Sequence, residues 1–133
     1  MKKISTILLI VSGLLLFSCK GNTQNSPASQ TGTVEVIQFH NEHRCYSCLE
    51  IEKLTKATLA KNYPSIPFKL INLDDKSNAP VAKQFEAAGT ALFLYNAKTG
   101  KKKNLTAFAF LKVGNEAAFT EELKKYIAEF LKG

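Results

Sequence analysis

Thr33-Val34-Glu35-Val36-Ile37-Gln38-Phe39-His40-Asn41-Glu42-His43-Arg44-Cys45-Tyr46-Ser47-Cys48 is the stretch on which the fold turns. Thr33 to Phe39 is rich in β-branched and aromatic side chains and predicts a strand buried on both faces. After a short polar loop the period changes. From Cys45 to about Lys61, the residues Cys48, Ile51, Leu54, Thr58 and Leu59 fall near one helical face, with charged and polar residues between them. Tyr63-Pro64 ends that helix. A buried strand therefore runs into a helix whose first turn carries two cysteines three residues apart.

That placement has a chemical meaning. At a helix start, the Cys45 sulfur sits beside unsatisfied backbone N–H groups and the positive end of the helix dipole, which favours thiolate over thiol. Arg44 adds a fixed positive charge next door, and His43 is a loop imidazole placed to tune the same sulfur. Cys48 lies one turn further in, within reach of a disulfide on Cys45. The expected roles are Cys45 as attacking thiolate and Cys48 as resolving thiol, with the disulfide itself as the redox group. A purely structural bridge closes so short a ring that it stabilises little through loop entropy. A zinc ribbon shares the Cys-x-x-Cys spacing but needs a second ligand pair, and residues 33–133 hold no other cysteine.

Two rival readings use the same residues. His40, His43, Cys45 and Cys48 place two imidazoles and two thiols within nine residues. Such a set suits copper(I) or zinc, and the thiols alone suit arsenite. Against this, His40 at a strand end also reads as a packed, hydrogen-bonding residue. The other rival is a non-catalytic binding subunit that supports a partner complex. Glu42 reads as a solvated loop carboxylate.

Working outward, Phe68 to Leu73 predicts a second strand. Asn78 caps a short helix with Pro80 in its first turn and Val81, Ala82 and Phe85 on its apolar side, ending at Gly89. Ala91 to Tyr95 predicts a third strand. Lys98-Thr99-Gly100-Lys101 is a hairpin turn, leading into a strand from about Asn104 to Phe110 on which Phe108 and Phe110 alternate. Asn115 or Thr120 caps a last helix, with Phe119, Leu123, Tyr126, Ile127, Phe130 and Leu131 as its apolar stripe. The order β-α-β-α-β-β-α implies an α/β fold with a mixed central sheet and helices on both faces. Lys98, Lys101, Lys102 and Lys103 cluster at the hairpin, either as a solvated tip or as a contact for anionic headgroups.

Upstream, Lys2 and Lys3 precede an apolar run from Ile7 to Phe17, shorter than the roughly 20 residues of a spanning helix but suited to a signal-peptide core. Leu16-Phe17-Ser18-Cys19 resembles the bacterial lipobox. That resemblance implies cleavage after residue 18, lipid on the sulfur of Cys19 and a periplasm-facing lipoprotein of the cell envelope, held to the membrane by its acyl chains. Residues 19–32, without large apolar side chains, read as a flexible tether, and residues 33–133 as one domain. Outside the cytoplasm a disulfide persists.

Composition agrees. The chain has 133 residues, 45% hydrophobic and 22% charged, which suits one small globular domain and excludes a disordered tail or a multi-span membrane protein. Its net charge is +7, but the lysines are not interleaved with aromatic residues, so nucleic acid is not an expected partner.

The strand, the Cys-x-x-Cys helix, the Ile71-Asn72-Leu73-Asp74 strand end and Gly89 before a later strand together resemble the thioredoxin-like superfamily over residues 33 to 133. The string Phe39-His40, then His43-Arg44-Cys45-Tyr46-Ser47-Cys48, resembles a narrower group: small exported bacterial thioredoxin-like proteins known as the nitrophenyl compound nitroreductase subunit ArsF family. The resemblance implies a thiol–disulfide oxidoreductase acting on a protein disulfide or dithiol, or on an electron-donor protein. No Gly-x-Gly-x-x-Gly is present to bind a flavin or nicotinamide. The chain also departs from thioredoxins. Arg44 replaces a Trp, Tyr46-Ser47 replace Gly-Pro, and Thr90 or Ala91 stands where a cis-proline faces the disulfide, with a trans bond expected. Gln38 stands in for a buried acid and cannot shuttle a proton.

Overall fold

Seven residues, Val34–His40, form the central strand β1, and the first six are buried. The computed structural model describes residues 33–133. The signal-peptide reading of residues 1–18, and the tether reading of 19–32 with its lipid on Cys19, lie outside the described residues. Side chains of β1 alternate between two cores, as the pleat requires. Val34 and Val36 face one, Ile37 and Phe39 the other.

The order along the chain is β1, α1 (Tyr46–Asn62), β2 (Phe68–Asn72), a 3-10 turn (Lys76–Asn78), α2 (Ala79–Phe85), β3 (Ala91–Asn96), β4 (Lys102–Asn104), α3 (Thr106–Lys112) and α4 (Glu116–Leu131). The sheet runs β2-β1-β3-β4. β1 pairs parallel with β2, where Gln38 lies opposite Leu70, and antiparallel with β3, where Gln38 lies opposite Leu92. β4 closes a hairpin on β3. This is an α/β protein with a mixed four-stranded sheet and helices on both faces, as expected.

The larger core lies under α1, α3 and α4. Ile51, Leu54 and Leu59 from α1 meet Phe108 and Ala109 from α3 and Phe119, Leu123, Ile127 and Phe130 from α4. The smaller core lies under α2, where Phe85 packs on Phe39 and Phe93 with ring centroids 5.3 and 5.2 Å away. β1 ends between the two, and the loop that follows it leads to Cys45 at the start of α1 and to Cys48 in its first turn.

Three expectations need correction. The stretch from Asn104 to Phe110 is not one strand: β4 stops at Asn104 and a helix, α3, begins at Thr106. The Asn104 carboxamide oxygen accepts the Thr106 N–H at 2.9 Å, and the Thr106 hydroxyl oxygen accepts the Leu92 N–H at 3.1 Å. Leu105, Phe108 and Ala109 are the buried residues, a spacing of three and four that belongs to a helix, while Phe110 is left 41% exposed. Second, α2 ends at Phe85 rather than running to Gly89. Glu86 takes the left-handed conformation itself, at φ 54°, and the Ala87 N–H closes the end on Ala82 O at 2.9 Å. Third, Asn78 occupies the cap position of α2 without capping it. Its side chain instead donates to Asn72 O at 2.9 Å, tying α2 to the end of β2.

The lysines of the hairpin are not a bare tip. Lys102 reaches Gln84 O and lies over the Phe85 ring, 5.2 Å from its centre. Lys103 lies over Tyr126 at 4.6 Å, with Glu129 3.7 Å away, and Lys101 over Phe130 at 5.3 Å.

Candidate active site

The helix α1 starts because Cys45 caps it. Cys45 is extended, with φ −76° and ψ 161°, and its sulfur accepts the Cys48 N–H at 3.3 Å. The first turn of α1 holds no acidic residue to oppose a negative charge at that sulfur. Seventeen residues of aligned peptide dipoles point their positive end at it.

Cys45 and Cys48 form a disulfide, with Cα atoms 5.2 Å apart. The two halves differ in access. Cys45 is exposed at the surface, whereas Cys48 is 4% exposed, buried on the inner face of α1. Tyr46, 80% exposed, and Leu49, 49% exposed, frame the accessible sulfur with apolar surface that nothing in the domain covers. Sequence reading passed over this apolar rim, although the exposed positions of α1 alternate with its buried stripe and mark it.

Arg44 points away from the role expected of it. Its guanidinium pairs with Glu52 on α1 and donates to Cys48 O at 3.4 Å. The charge is therefore largely matched by a carboxylate, and the field at Cys45 comes chiefly from the helix end. Lys56 holds Glu52 from the other side. Burial works against the Glu52 carboxylate, but Lys56 and Arg44 outweigh it and keep its pKa below the usual range.

Gln38 stands behind the pair. It is fully buried, and its Nε2 donates to Cys48 O at 2.9 Å. Its Oε1 is buried without a hydrogen-bond partner. An amide here holds the carbonyl of Cys48 but offers no titrating group, which agrees with the expectation for Gln38.

Two more groups complete the surroundings: Asp74, whose role no motif announces, and Thr90, one of the two residues expected to face the disulfide in place of a cis-proline. The Asp74 carboxylate accepts the Glu42 N–H at 2.7 Å and the Asn41 side-chain amide at 3.2 Å. It thereby holds the loop between β1 and Cys45. Those two bonds, the backbone one first, keep Asp74 below the usual carboxylate range, and the His43 and His40 imidazoles act in the same direction. The loop is thus held by a charged acceptor at neutral pH, and the hold weakens as acid protonates Asp74. Thr90 lies just before β3, where the peptide bonds are trans, and its hydroxyl oxygen is 3.2 Å from the Cys48 sulfur.

His40 Nδ1–H donates to Asn41 O at 2.8 Å, which is the packed role expected of a strand-end histidine. His43 is exposed in the loop. Among the described residues, no three His, Cys, Asp or Glu side chains converge to hold a metal ion. The four-ligand set His40, His43, Cys45 and Cys48 is not assembled. The two sulfurs are bonded to each other, and the strand end and helix start do not bring both imidazoles onto them.

No protein-family model matches the chain, and no curated protein matches it. The narrower resemblance to the ArsF family thus rests on the loop string alone. Among solved structures, the chain is similar to thioredoxin f2 of Chlamydomonas reinhardtii, with 21% identity, 66% of this chain and 82% of that chain covered, and a TM-score of 0.43. What the site can do follows from its own geometry: one accessible sulfur at a helix start, one buried sulfur beside it, and a bond between them that can open.

Proposed function

We propose that the protein is a thiol–disulfide oxidoreductase that exchanges electrons through Cys45 and Cys48. The observation that carries this reading is the unequal pair: an exposed sulfur capping α1, bonded to a buried one three residues on. In the reduced protein, the Cys45 thiolate attacks one sulfur of a partner disulfide. A Cys45–partner bond forms, and the other partner sulfur leaves as a thiolate and takes up a proton. Cys48 then loses its proton and attacks the Cys45 sulfur. The Cys45–Cys48 bond forms, the second partner thiolate leaves, and the partner has gained two electrons. The same steps in reverse oxidise a partner dithiol. The apolar rim of Tyr46 and Leu49 suits a polypeptide partner more than a small charged disulfide.

The proposal extends to location. The charged start at Lys2 and Lys3, the apolar run and the Ser18-Cys19 junction support a lipid-anchored protein of the cell envelope, and the loop string from His40 to Cys48 supports a member of the ArsF-type group. Fatty-acid labelling that persists in a Cys19→Ser variant would remove the anchor from this reading.

The redox reading is tested by poising the protein in metal-free thiol/disulfide buffers and counting free thiols by alkylation and mass. A two-electron couple between about −270 and −120 mV is expected, the range of working exchange proteins. A bridge that resists reduction below about −300 mV would mark it as structural instead.

A further inference from the structure

Cys48 has to become a thiolate in the resolving step, yet the donors around it serve its backbone. Gln38 Nε2 and Arg44 Nη2 both converge on its carbonyl oxygen. The Arg44 charge is matched by Glu52. Cys45 receives a backbone N–H and the helix end, but that N–H belongs to Cys48 itself and points at the other sulfur. The side chain that reaches the Cys48 sulfur is Thr90, with Oγ1 at 3.2 Å. Thr90 comes from the segment before β3, 42 residues away, and is partly exposed. Its hydroxyl thus meets the buried sulfur from a residue that is itself in contact with solvent. A hydroxyl carries one donor proton and can turn it to suit the charge beside it.

We propose that Thr90 is a further catalytic residue of the pair, its hydroxyl donating a hydrogen bond to the Cys48 sulfur while that sulfur is a thiolate. The proposal rests on the exchange reading above. Cys48 gives its proton to solvent, and the Thr90 O–H turns toward the negative sulfur. The sulfur electron pair then attacks Cys45 Sγ in the mixed disulfide. The Cys45–Cys48 bond forms, the Cys45–partner bond breaks, and the departing thiolate takes a proton from solvent. The hydrogen bond matters most in the charged state, because bonds to ionised groups are the stronger ones, and more so at a buried site.

The size of the effect follows from two opposed terms. Losing one hydrogen bond to a charged sulfur lowers the thiolate fraction about tenfold. The less acidic thiol is a better nucleophile once ionised, with a Brønsted coefficient of about 0.4–0.5, which returns about threefold. The net expectation is a resolving step slowed roughly threefold in Thr90→Val.

The test uses the reduced full-length chain carrying Cys19→Ser, so that only Cys45 and Cys48 react, mixed with excess chromogenic dithiobis-nitrobenzoate in stopped flow. Attack by Cys45 releases one equivalent of coloured thiolate and resolution by Cys48 releases the second, one disulfide being reduced as one forms. Thr90→Val is expected to leave the first phase unchanged and slow the second, and Thr90→Ser to restore it. A second phase that is unchanged in Thr90→Val, or both phases slowed alike in Thr90→Val and Thr90→Ser, overturns the role of Thr90 while leaving the exchange reading intact. Absence of the second phase in the chain that keeps Thr90 overturns the exchange reading, and the role of Thr90 with it.

Discussion

Cys45→Ser is expected to abolish disulfide exchange, with turnover of a partner disulfide falling on the order of a thousandfold or more, because a hydroxyl at this position is neither ionised nor nucleophilic at neutral pH. Cys48→Ser should fail differently. Its exposed Cys45 still caps α1 and still attacks, so the partner accumulates as a mixed disulfide that cannot be resolved. Non-reducing mass analysis separates the two: an adduct on Cys48→Ser, none on Cys45→Ser. If the adduct instead formed on Cys45→Ser, the roles assigned from exposure would be reversed. The same pair of variants tests the rival in which the domain only supports a complex. There Cys45→Ser would bind the partner and leave every activity of the complex untouched.

The second large effect concerns stability. Phe108→Ala should cost about 3–5 kcal/mol, the range for emptying a buried phenylalanine site. Phe108 is 6% exposed and packs against Phe119 and Tyr126, with ring centroids 5.0 and 5.2 Å away. Phe110→Ala should cost less than about 1 kcal/mol, since a large part of that ring is already in water. Urea unfolding of both variants measures the contrast. Equal costs would mean that both rings share one face, as on a strand, and would contradict the helix α3. A loss of 3–5 kcal/mol is a large part of the total stability of a small domain, so Phe108→Ala would also show partial unfolding near physiological temperature.

Much of this arrangement is legible in the chain before any coordinates. The run of β-branched and aromatic residues in Thr33–Phe39 and the period of 3.6 after Cys45 place β1, α1 and the cysteines correctly. Those signals are strong because each element buries a face against a core on its own side. The stripe on α4 is equally plain, and Asn115 caps it through its bond to the Ala118 N–H at 3.0 Å. The hairpin turn is placed by Gly100, whose φ of 74° favours a residue without a Cβ.

What stays hidden has particular causes. Residues 104–110 read as a strand because Phe108 and Phe110 alternate. The rival signal, Leu105 with Phe108 and Ala109, is a single helical turn, and the Asn104 and Thr106 side chains that start it act through bonds no periodicity reveals. The end of α2 misleads because Gly89 is the residue that prefers left-handed backbone, while Glu86 adopts it. At the site, Arg44 reads as a free charge because its partner Glu52 lies eight residues on, across a loop-to-helix boundary. Asp74 reaches the loop before Cys45 from 32 residues away and Thr90 reaches Cys48 from 42, through bonds that exist only once β2 and β3 flank β1. Residue identity gives no warning of Asp74, and for Thr90 only the resemblance to thioredoxins points to its place opposite the disulfide.

The outer margin of the sheet has a consequence for life at high concentration. A strand at the border of a sheet offers unpaired backbone groups to any other extended chain, and so invites ordered aggregation. Here one border is β4, only three residues long, Lys102-Lys103-Asn104. A second copy docking there would have to bring its own lysines alongside these, and would find too few backbone groups to hold it. The opposite border, β2, follows Pro67 and carries Lys69, which is paired to Glu35 of β1. The proline removes a donor at the strand's entrance, and the lysine two residues on ties this border back to β1. If the protein is crowded on a membrane, as proposed, the short lysine-bearing margin at β4 and the proline at the entrance of β2 leave its sheets little means of growing into one another.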